Sequence, residues 1–523
     1  MVAALNTWPG IHAKRKGAHA ALVDGDTGRT ISFAELDSRT NQIADMLRGQ
    51  GVRPGDRIAL ITLNSPEMLE LIFGIAKAGA VSVLVNFRLT APEINYILED
   101  SGASIAFAST VLVPTVEQAA EGTRVTRVVS VATAEERSDG AGAQLEELLR
   151  HASDKDFPVD VKLDDLAMIM YTSGTTGRPK GAMLTHGNSL WNAIQHNASA
   201  TGMINSDINL ACAPMFHIGA LGVYTLPLLY WGGTSVIQEK FDPHHWAQLI
   251  EKYQVTKAFA VPTMWSAIVH SGALDSADLS SLKIAISGGS PCPLTVIEAV
   301  NEKGISFTEG FGMTETAPIA STLAPEDVKT KAGSVGKPVP HIEYRIVDTE
   351  GREVPVGEVG ELTIRGPNVF VGYWNRPEAT AEAFRGGWFH SGDLATVDED
   401  GYYRLVDRKK DMIITGGENV YPVEVEQVLF RHPSVMETSV IGVPDAHWGE
   451  AVAAIVVVAE DSELRPGPEL EDSLVSFARE RLAGFKVPKS FRFSEELPKT
   501  ATGKIRKNVL REMHTGSTAA VQR

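Results

Sequence analysis

Residues 171–181 read YTSGTTGRPKG and follow directly on an apolar run, LAMIM, at 166–170. Four or five apolar residues emptying into Gly, Ser and Thr read as a buried strand ending in a turn. Thr172, Ser173, Thr175 and Thr176 bring hydroxyls, Gly174 and Gly177 let backbone N–H groups come close to a ligand, and Lys180 adds a point charge. Such a loop suits a polyphosphate. It is not a Walker A loop, because GxxxxGK[ST] is not matched and Pro179 stands where a helix N-terminus would begin to collect phosphate oxygens. On composition alone a polar surface loop reads the same way.

Toward the N-terminus the pattern is that of a parallel sheet. ISFAEL at 31–36 runs into a helical pattern ending near Arg48, and Pro54-Gly55-Asp56 turns the chain into a strand at 57–62. Asn64 and Ser65 cap a helix with apolar residues at Met68, Leu71, Ile72 and Ile75; Gly79 ends it and 81–85 is the next strand. That βαβ unit predicts parallel strands with helices on both faces. Residues 109–158, rich in Ala, Glu and Gly, read as a surface excursion.

Toward the C-terminus a helix is expected over about 188–200. Residues 213–217, APMFH, then place His217 at the end of a strand, followed by IGALGVYTLPLLYWGG, whose Gly219 leaves room for a ligand or for close backbone packing. Buried strands at 258–261 and 284–286 run into PTMW and SGGSP loops. Ligands collect beyond the carboxyl ends of strands in open α/β sheets, so Thr263, Met264, Ser287, Gly288, Gly289 and Ser290 gather on the binding side. A short strand at 307–309 is followed by Gly310-Phe311-Gly312-Met313-Thr314-Glu315. Phe311 offers a plane for stacking, while Thr314 and Glu315 offer oxygens suited to phosphate and Mg²⁺. From about 341 to 409 short strands broken by Gly and Pro predict an antiparallel unit.

At 523 residues the chain is long enough for several cores. Its 48 Lys and Arg against 65 Asp and Glu leave a net charge of −17, which argues against nucleic acid as a partner. An anionic substrate must then be met by local donors. Two cysteines, Cys212 and Cys292, argue against a disulfide framework and for a cytoplasmic setting. No transmembrane run and no signal peptide are read from the sequence, and peripheral membrane contact and oligomeric state are left open.

These strings resemble, in order and over most of the chain, the motifs of the adenylate-forming superfamily: acyl-CoA synthetases, peptide-synthetase adenylation domains and firefly luciferase. The overall texture is most similar to bacterial fatty-acyl-CoA ligases. The resemblance implies an α/β fold with a large N-terminal domain, 1–409, of two parallel-sheet subdomains and a small antiparallel β unit, followed by a small mobile α+β domain, 410–523. It implies that the 172–180 loop binds ATP phosphates with Thr172 taking part in catalysis, and that Gly288, Gly289, Ser290, Gly310, Phe311, Gly312 and Thr314 line the nucleotide site. Phe311 replaces the family's usual tyrosine, so stacking is kept and a phenol contact is lost. Glu315 would anchor Mg²⁺. Asp393 in Ser391-Gly392-Asp393 and Arg408 in Asp407-Arg408-Lys409-Lys410-Asp411 would hold the ribose, and Lys410 would be the hinge.

The resemblance further places His217, Gly219, Met264 and Met313 at the acid pocket, and Gly416, Gly417 and Lys486 toward coenzyme A. Lys504 would be the catalytic lysine that bridges the carboxylate and the α-phosphate. The expected reaction is ATP-dependent formation of an acyl-adenylate and then an acyl-CoA thioester, from a medium- or long-chain fatty acid. The alternatives are an aryl or arylalkanoate acid, and a nucleotide-binding scaffold without catalysis.

Overall fold

The computed structural model describes residues 4–140, 142–172, 178–199, 201–290, 292–445, 447–460, 462–499 and 505–518. They form two compact units, 1–343 with 364–389, and 344–363 with 390–523.

Two sheets organise the first unit. One has six strands in the order Arg127–Val131, Ile105–Ser109, Arg57–Ile61, Val81–Leu84, Leu166–Thr172 and Lys180–Thr185, parallel except for the last pair. The other has nine. Its parallel centre runs Ser306–Gly312, Ile284–Ser287, Lys257–Ala260, Ile208–Ala211, Thr234–Ile237 and Ala20–Asp24. Local chemistry accounts for the elements. Ser32 and Glu35 close a capping box at the start of the helix Phe33–Gly49. Ser65 accepts from Met68 N at 3.2 Å ahead of Pro66, and the helix Pro66–Lys77 is buried along its whole length.

The second unit holds most of an antiparallel sheet, in which Trp388–Val397 pairs with Tyr403–Arg408, and a C-terminal sheet of Ile413–Thr415, Glu418–Val420, Gly449–Val458, Val435–Asp445 and Ser490–Phe493. Period-two alternation gives the C-terminal sheet two apolar faces. Val440, Val452, Ala454 and Val456 meet the helices Pro422–Leu429 and Pro468–Arg479. Ile441, Ala451, Ala453 and Ile455 meet Leu510 of the helix Lys507–Thr518. Contacts thus group 344–363 and 390–409 with 410–523.

The structure corrects the sequence reading in four places. Residues 109–158 are not mere excursion: Arg127–Val131 is an edge strand of the six-stranded sheet, and Val113–Ala120 is a helix. The apolar stretch after His217 is helical, Ile218–Ala220 and Leu226–Trp231 joined by a π turn over Leu221–Thr225. A segment buried on all sides carries no period to tell helix from strand. The PTMW loop is the first turn of the helix Pro262–His270, with Pro262 at its start. Gly310, Phe311 and Gly312 do not leave the strand but continue it, paired antiparallel with Ile319–Thr322. Among the described residues no helix is long and apolar enough to cross a membrane.

Candidate active site

In the first unit the carboxyl ends of the parallel strands converge. A Cβ on Gly288 would lie 3.4 Å from both Gly310 O and the Phe259 ring, so the loop after Ile284–Ser287 sits beside the glycine-flanked aromatic. Gly289 has φ +92°, a conformation that glycine adopts without strain. Phe311 is buried opposite Ser321. Gly312 has no alternative: a Cβ there would stand 1.9 Å from Pro318 O. The chain then turns through Thr314–Thr316, and both Thr314 and Glu315 are buried. Asn368 Nδ2 donates to Thr316 O at 2.5 Å and Ile319 O at 2.7 Å, and Phe370 N donates to Glu315 O at 2.8 Å, so the turn is fixed from outside.

Thr172 and Lys180, the two feet of the Gly/Ser/Thr loop, are cross-strand partners. Ser173, Gly174, Thr175, Thr176 and Gly177 lie outside the described residues. Lys180 Nζ stands 5.3 Å above the Tyr373 ring, and the Tyr373 hydroxyl donates to Glu315 Oε1 at 2.8 Å. Tyr373 therefore connects the loop's cation to the turn's carboxylate. Sequence reasoning missed it, because VFVGYWNRP reads as one more aromatic strand of the antiparallel region. Its neighbours lock it in place: Trp374 N donates to Gly181 O at 2.8 Å, and Tyr171 OH and Arg376 both bind Asp100 at 2.7 Å. Burial, with that bond to Asp100, pushes the Tyr171 phenol well above its ordinary range.

His217 caps the helix that follows it, its Nδ1 accepting from Gly219 N at 3.2 Å. In a neutral ring the proton then sits on Nε2. The space at Gly219 is taken by a ring: a Cβ there would lie 3.0 Å from Phe259 Cζ. Phe87 and Phe216 meet edge to face at 5.4 Å, and Met264 is buried while Met313 is half-buried. This apolar end is tied to the Glu315 turn. A Cβ on Gly222 would lie 2.4 Å from Pro318 Cδ, and Asn192 donates to Gly222 O at 2.7 Å while accepting from Ile319 N at 3.2 Å. The π turn explains why Gly222 O is open to a side chain, since Leu226 N bonds Leu221 O instead.

The second unit holds the other candidates. Asp393 and Arg408 face each other across two antiparallel strands, with Arg408 Nε 2.6 Å from Asp393 Oδ1. Asp393 N donates to Ser391 Oγ at 3.1 Å. Lys410 lies in a turn closed by Asp411 N and Met412 N on Arg408 O. Gly416 and Gly417, with φ +59° and +85°, form the two-residue turn of the hairpin in which Thr415 faces Glu418. Lys486 Nζ reaches both oxygens of Glu424 at 2.7 Å. Lys504 lies outside the described residues, between Lys499 and Ile505, which form an isolated antiparallel bridge.

Among the described residues no cluster of three or more His, Cys, Asp or Glu could cage a metal ion. One buried carboxylate fits Mg²⁺, which takes one or two carboxylates and fills its shell with phosphates and water. The buried Glu315 carboxylate, which accepts from the Tyr373 hydroxyl, has the chemistry that such an ion takes.

A family model described as AMP-binding enzyme matches residues 11–374, and one described as AMP-binding enzyme C-terminal domain matches 424–504. The chain is 45% identical to a feruloyl-CoA synthase of Amycolatopsis over 97% of this chain and 98% of that protein. It is 37% identical to a long-chain-fatty-acid–CoA ligase of Escherichia coli over 94% of this chain and 91% of that one. Among solved structures it is similar to the anthranilate CoA ligase AuaEII bound to anthranoyl-AMP, with TM-score 0.90, 30% identity and coverage of 98% and 97%. It is also similar to ATP-bound MatB of Rhodopseudomonas palustris, with TM-score 0.89, 33% identity and coverage of 98% and 99%.

Proposed function

This chain belongs to the AMP-binding enzyme family and is an AMP-forming CoA ligase, and from that premise we propose that its acid is an aryl or arylalkanoic acid. The observation that carries the choice is the 45% end-to-end identity with a feruloyl-CoA synthase, against 37% with a fatty-acid ligase. The comparisons favour the aryl alternative over the fatty acid expected from overall texture. Phe259 beside Gly219 and the edge-to-face pair Phe87–Phe216 supply flat surfaces that suit a ring.

The reaction needs activation because a carboxylate is a poor electrophile and oxide a poor leaving group. The carboxylate oxygen attacks the α-phosphorus of ATP in line, and the bond to pyrophosphate breaks. The thiol of coenzyme A then attacks the mixed-anhydride carbonyl, loses its proton and expels AMP. Catalysis of the first step is mainly positioning and neutralisation of charge. Thr172 and Lys180, with the hydroxyls and amides between them, hold the β- and γ-phosphates. Glu315, its carboxylate oriented by the Tyr373 hydroxyl, would hold Mg²⁺, which would supply charge neutralisation at the phosphate oxygens. Phe311 packs on the adenine, and Gly288, Gly289 and Ser290 line the same nucleotide site. Asp393, oriented by Arg408, accepts from the ribose hydroxyls. Lys504 is the cation assigned to neutralise the carboxylate and α-phosphate oxygens. Rotation about Lys410 withdraws it for the second step and brings Gly416 and Gly417 to the thiol, with Lys486 near the coenzyme. Two buried, unpaired thiols, Cys212 pushed up to about 12 by burial, suit a reducing cytoplasm.

The test is acid-dependent pyrophosphate release with ATP and Mg²⁺ over hydroxycinnamates, benzoates, indole acetate and fatty acids of graded length, with and without coenzyme A. Aryl acids are expected to give the highest kcat/KM, with turnover that requires coenzyme A. A preference for fatty acids would overturn the substrate reading, and ATP binding without pyrophosphate release would mean a scaffold.

A further inference from the structure

One charged cluster is left unused by the mechanism. Lys507 opens the helix Lys507–Thr518, and its ammonium, only 15% exposed, lies 2.8 Å from Glu426 Oε1. Glu426 is occupied as well: the same oxygen accepts from Val440 N at 2.7 Å. The carboxylates of Asp407 and Asp411 add to the field that keeps Lys507 protonated despite its burial. Asp407 is buried, with Oδ2 accepting from Val423 N at 3.0 Å and Oδ1 from Arg408 N at 2.7 Å, and the Lys507 charge acts on it in return. One turn along the helix, Arg511 pairs with Asp411 at 2.8 Å.

The order of these residues along the chain matters. Asp407 comes before Lys410; Asp411, Val423, Glu426, Lys507 and Arg511 come after it. A rotation about Lys410 carries the later group as one body and leaves Asp407 behind. The pairs Lys507–Glu426 and Arg511–Asp411 survive such a rotation. The Asp407–Val423 hydrogen bond and the attraction between Asp407 and Lys507 do not. A shielded lysine that loses one of its carboxylates is destabilised by more than a surface pair would be.

We propose that Lys507, paired with Glu426 one turn along the helix from Val423, is a positioning residue that favours the arrangement about the hinge in which Asp407 accepts from Val423 N. It thereby sets the balance between adenylate formation and thioester formation. The proposal rests on the hinge reading of Lys410. It differs from a structural role in what it moves, since a structural loss lowers both half-reactions together.

The experiment measures the two half-reactions separately in single turnovers, pyrophosphate release on mixing acid with ATP and thioester formation from preformed adenylate with coenzyme A. Lys507→Met and Asp407→Asn are expected to change the ratio of the two rates about tenfold and in the same direction, while Lys507→Arg, which keeps the charge, stays within about twofold of the parent. Asp407→Asn preserves shape, so the proposal is decided even if Lys507→Met does not fold. Equal loss in both half-reactions, or a ratio that answers to Lys507→Met but not to Asp407→Asn, overturns it. Lys410→Pro separates the two readings. If it spares adenylation and impairs thioester formation while Asp407→Asn leaves the ratio unchanged, the hinge stands and the clasp falls. If it lowers both steps equally while Asp407→Asn changes the ratio, the clasp stands and the pivot lies elsewhere.

Discussion

The turn that carries Glu315 and the turn of Gly416 and Gly417 are both short, yet opposite means hold them. Around Glu315 the fixing groups are neutral and buried: Asn368 on two carbonyls, Asn192 between Gly222 and Ile319, and the Tyr373 hydroxyl on the carboxylate. The C-terminal turn is closed by Gly416 N on Trp448 O, and the elements around it are linked by charge: Lys486 with Glu424 and Arg511 with Asp411, partly in water, and Lys507 with Glu426, shielded. Buried amides satisfied at both ends tolerate one geometry and resist salt. The partly exposed pairs, Lys486–Glu424 and Arg511–Asp411, are individually weak and can be remade elsewhere. On the proposed function, a rigid frame for ATP and a region that moves between two half-reactions would call for these two kinds of construction.

The comparison predicts that loss of the Lys504 side chain costs activity alone, whereas close-packed positions near Glu315 cost stability too. The largest effect is expected for Lys504→Ala. Loss of one donor placed where charge gathers lowers the rate of adenylation by roughly a hundred- to thousandfold, about 3–4 kcal/mol, with an unchanged melting temperature. A melting temperature that falls with the rate would erase the contrast. Next is Gly312→Ala, whose methyl must displace Pro318 O from 1.9 Å. It should cost about 3 kcal/mol of stability or more, read as an earlier urea midpoint together with lost activity.

Glu309 sharpens the contrast through pH. Burial pushes its carboxyl up to about 7, partly opposed by the hydrogen bond from Cys292 N. Between its ordinary value and about 7 the folded state holds a proton that the unfolded state has released. Stability therefore falls as pH rises through that window, and the penalty is complete above it. Glu309→Gln removes the dependence, so its stability relative to the parent should rise by about 2 kcal/mol between pH 5 and pH 8, checked by urea unfolding at the two values. A pH-independent difference would place the titration elsewhere. The smallest effect is expected for Tyr373→Phe, which removes one hydrogen bond to Glu315. It should raise KM for Mg·ATP roughly fivefold, about 1 kcal/mol, with little change in KM for the acid.

Much of the site was legible because its chemistry is written in adjacent residues. Gly312, Thr314 and Glu315 form one string, as do Ser391 and Asp393, and Gly416 with Gly417 marks a left-handed turn in any sequence. Tyr373 was not legible, since a tyrosine 58 residues beyond Glu315 carries no mark that its hydroxyl will reach that carboxylate. Nor was the helix after His217, where an apolar stretch buried on every side shows no period.

What the sequence by itself determined is what depends on spacing along the chain: the parallel sheets, the glycines that turns and close approaches require, and the order of the motifs. Only the tertiary structure decided which distant groups meet. It brought Lys180, Tyr373 and Glu315 into line, set Phe259 into the space at Gly219, and placed Lys507 among carboxylates from both sides of Lys410. The reason is physical. Local conformation follows from sterics and periodicity over a few residues, whereas contacts between distant residues follow from how whole sheets and helices bury their apolar faces, and no short window of sequence holds that information.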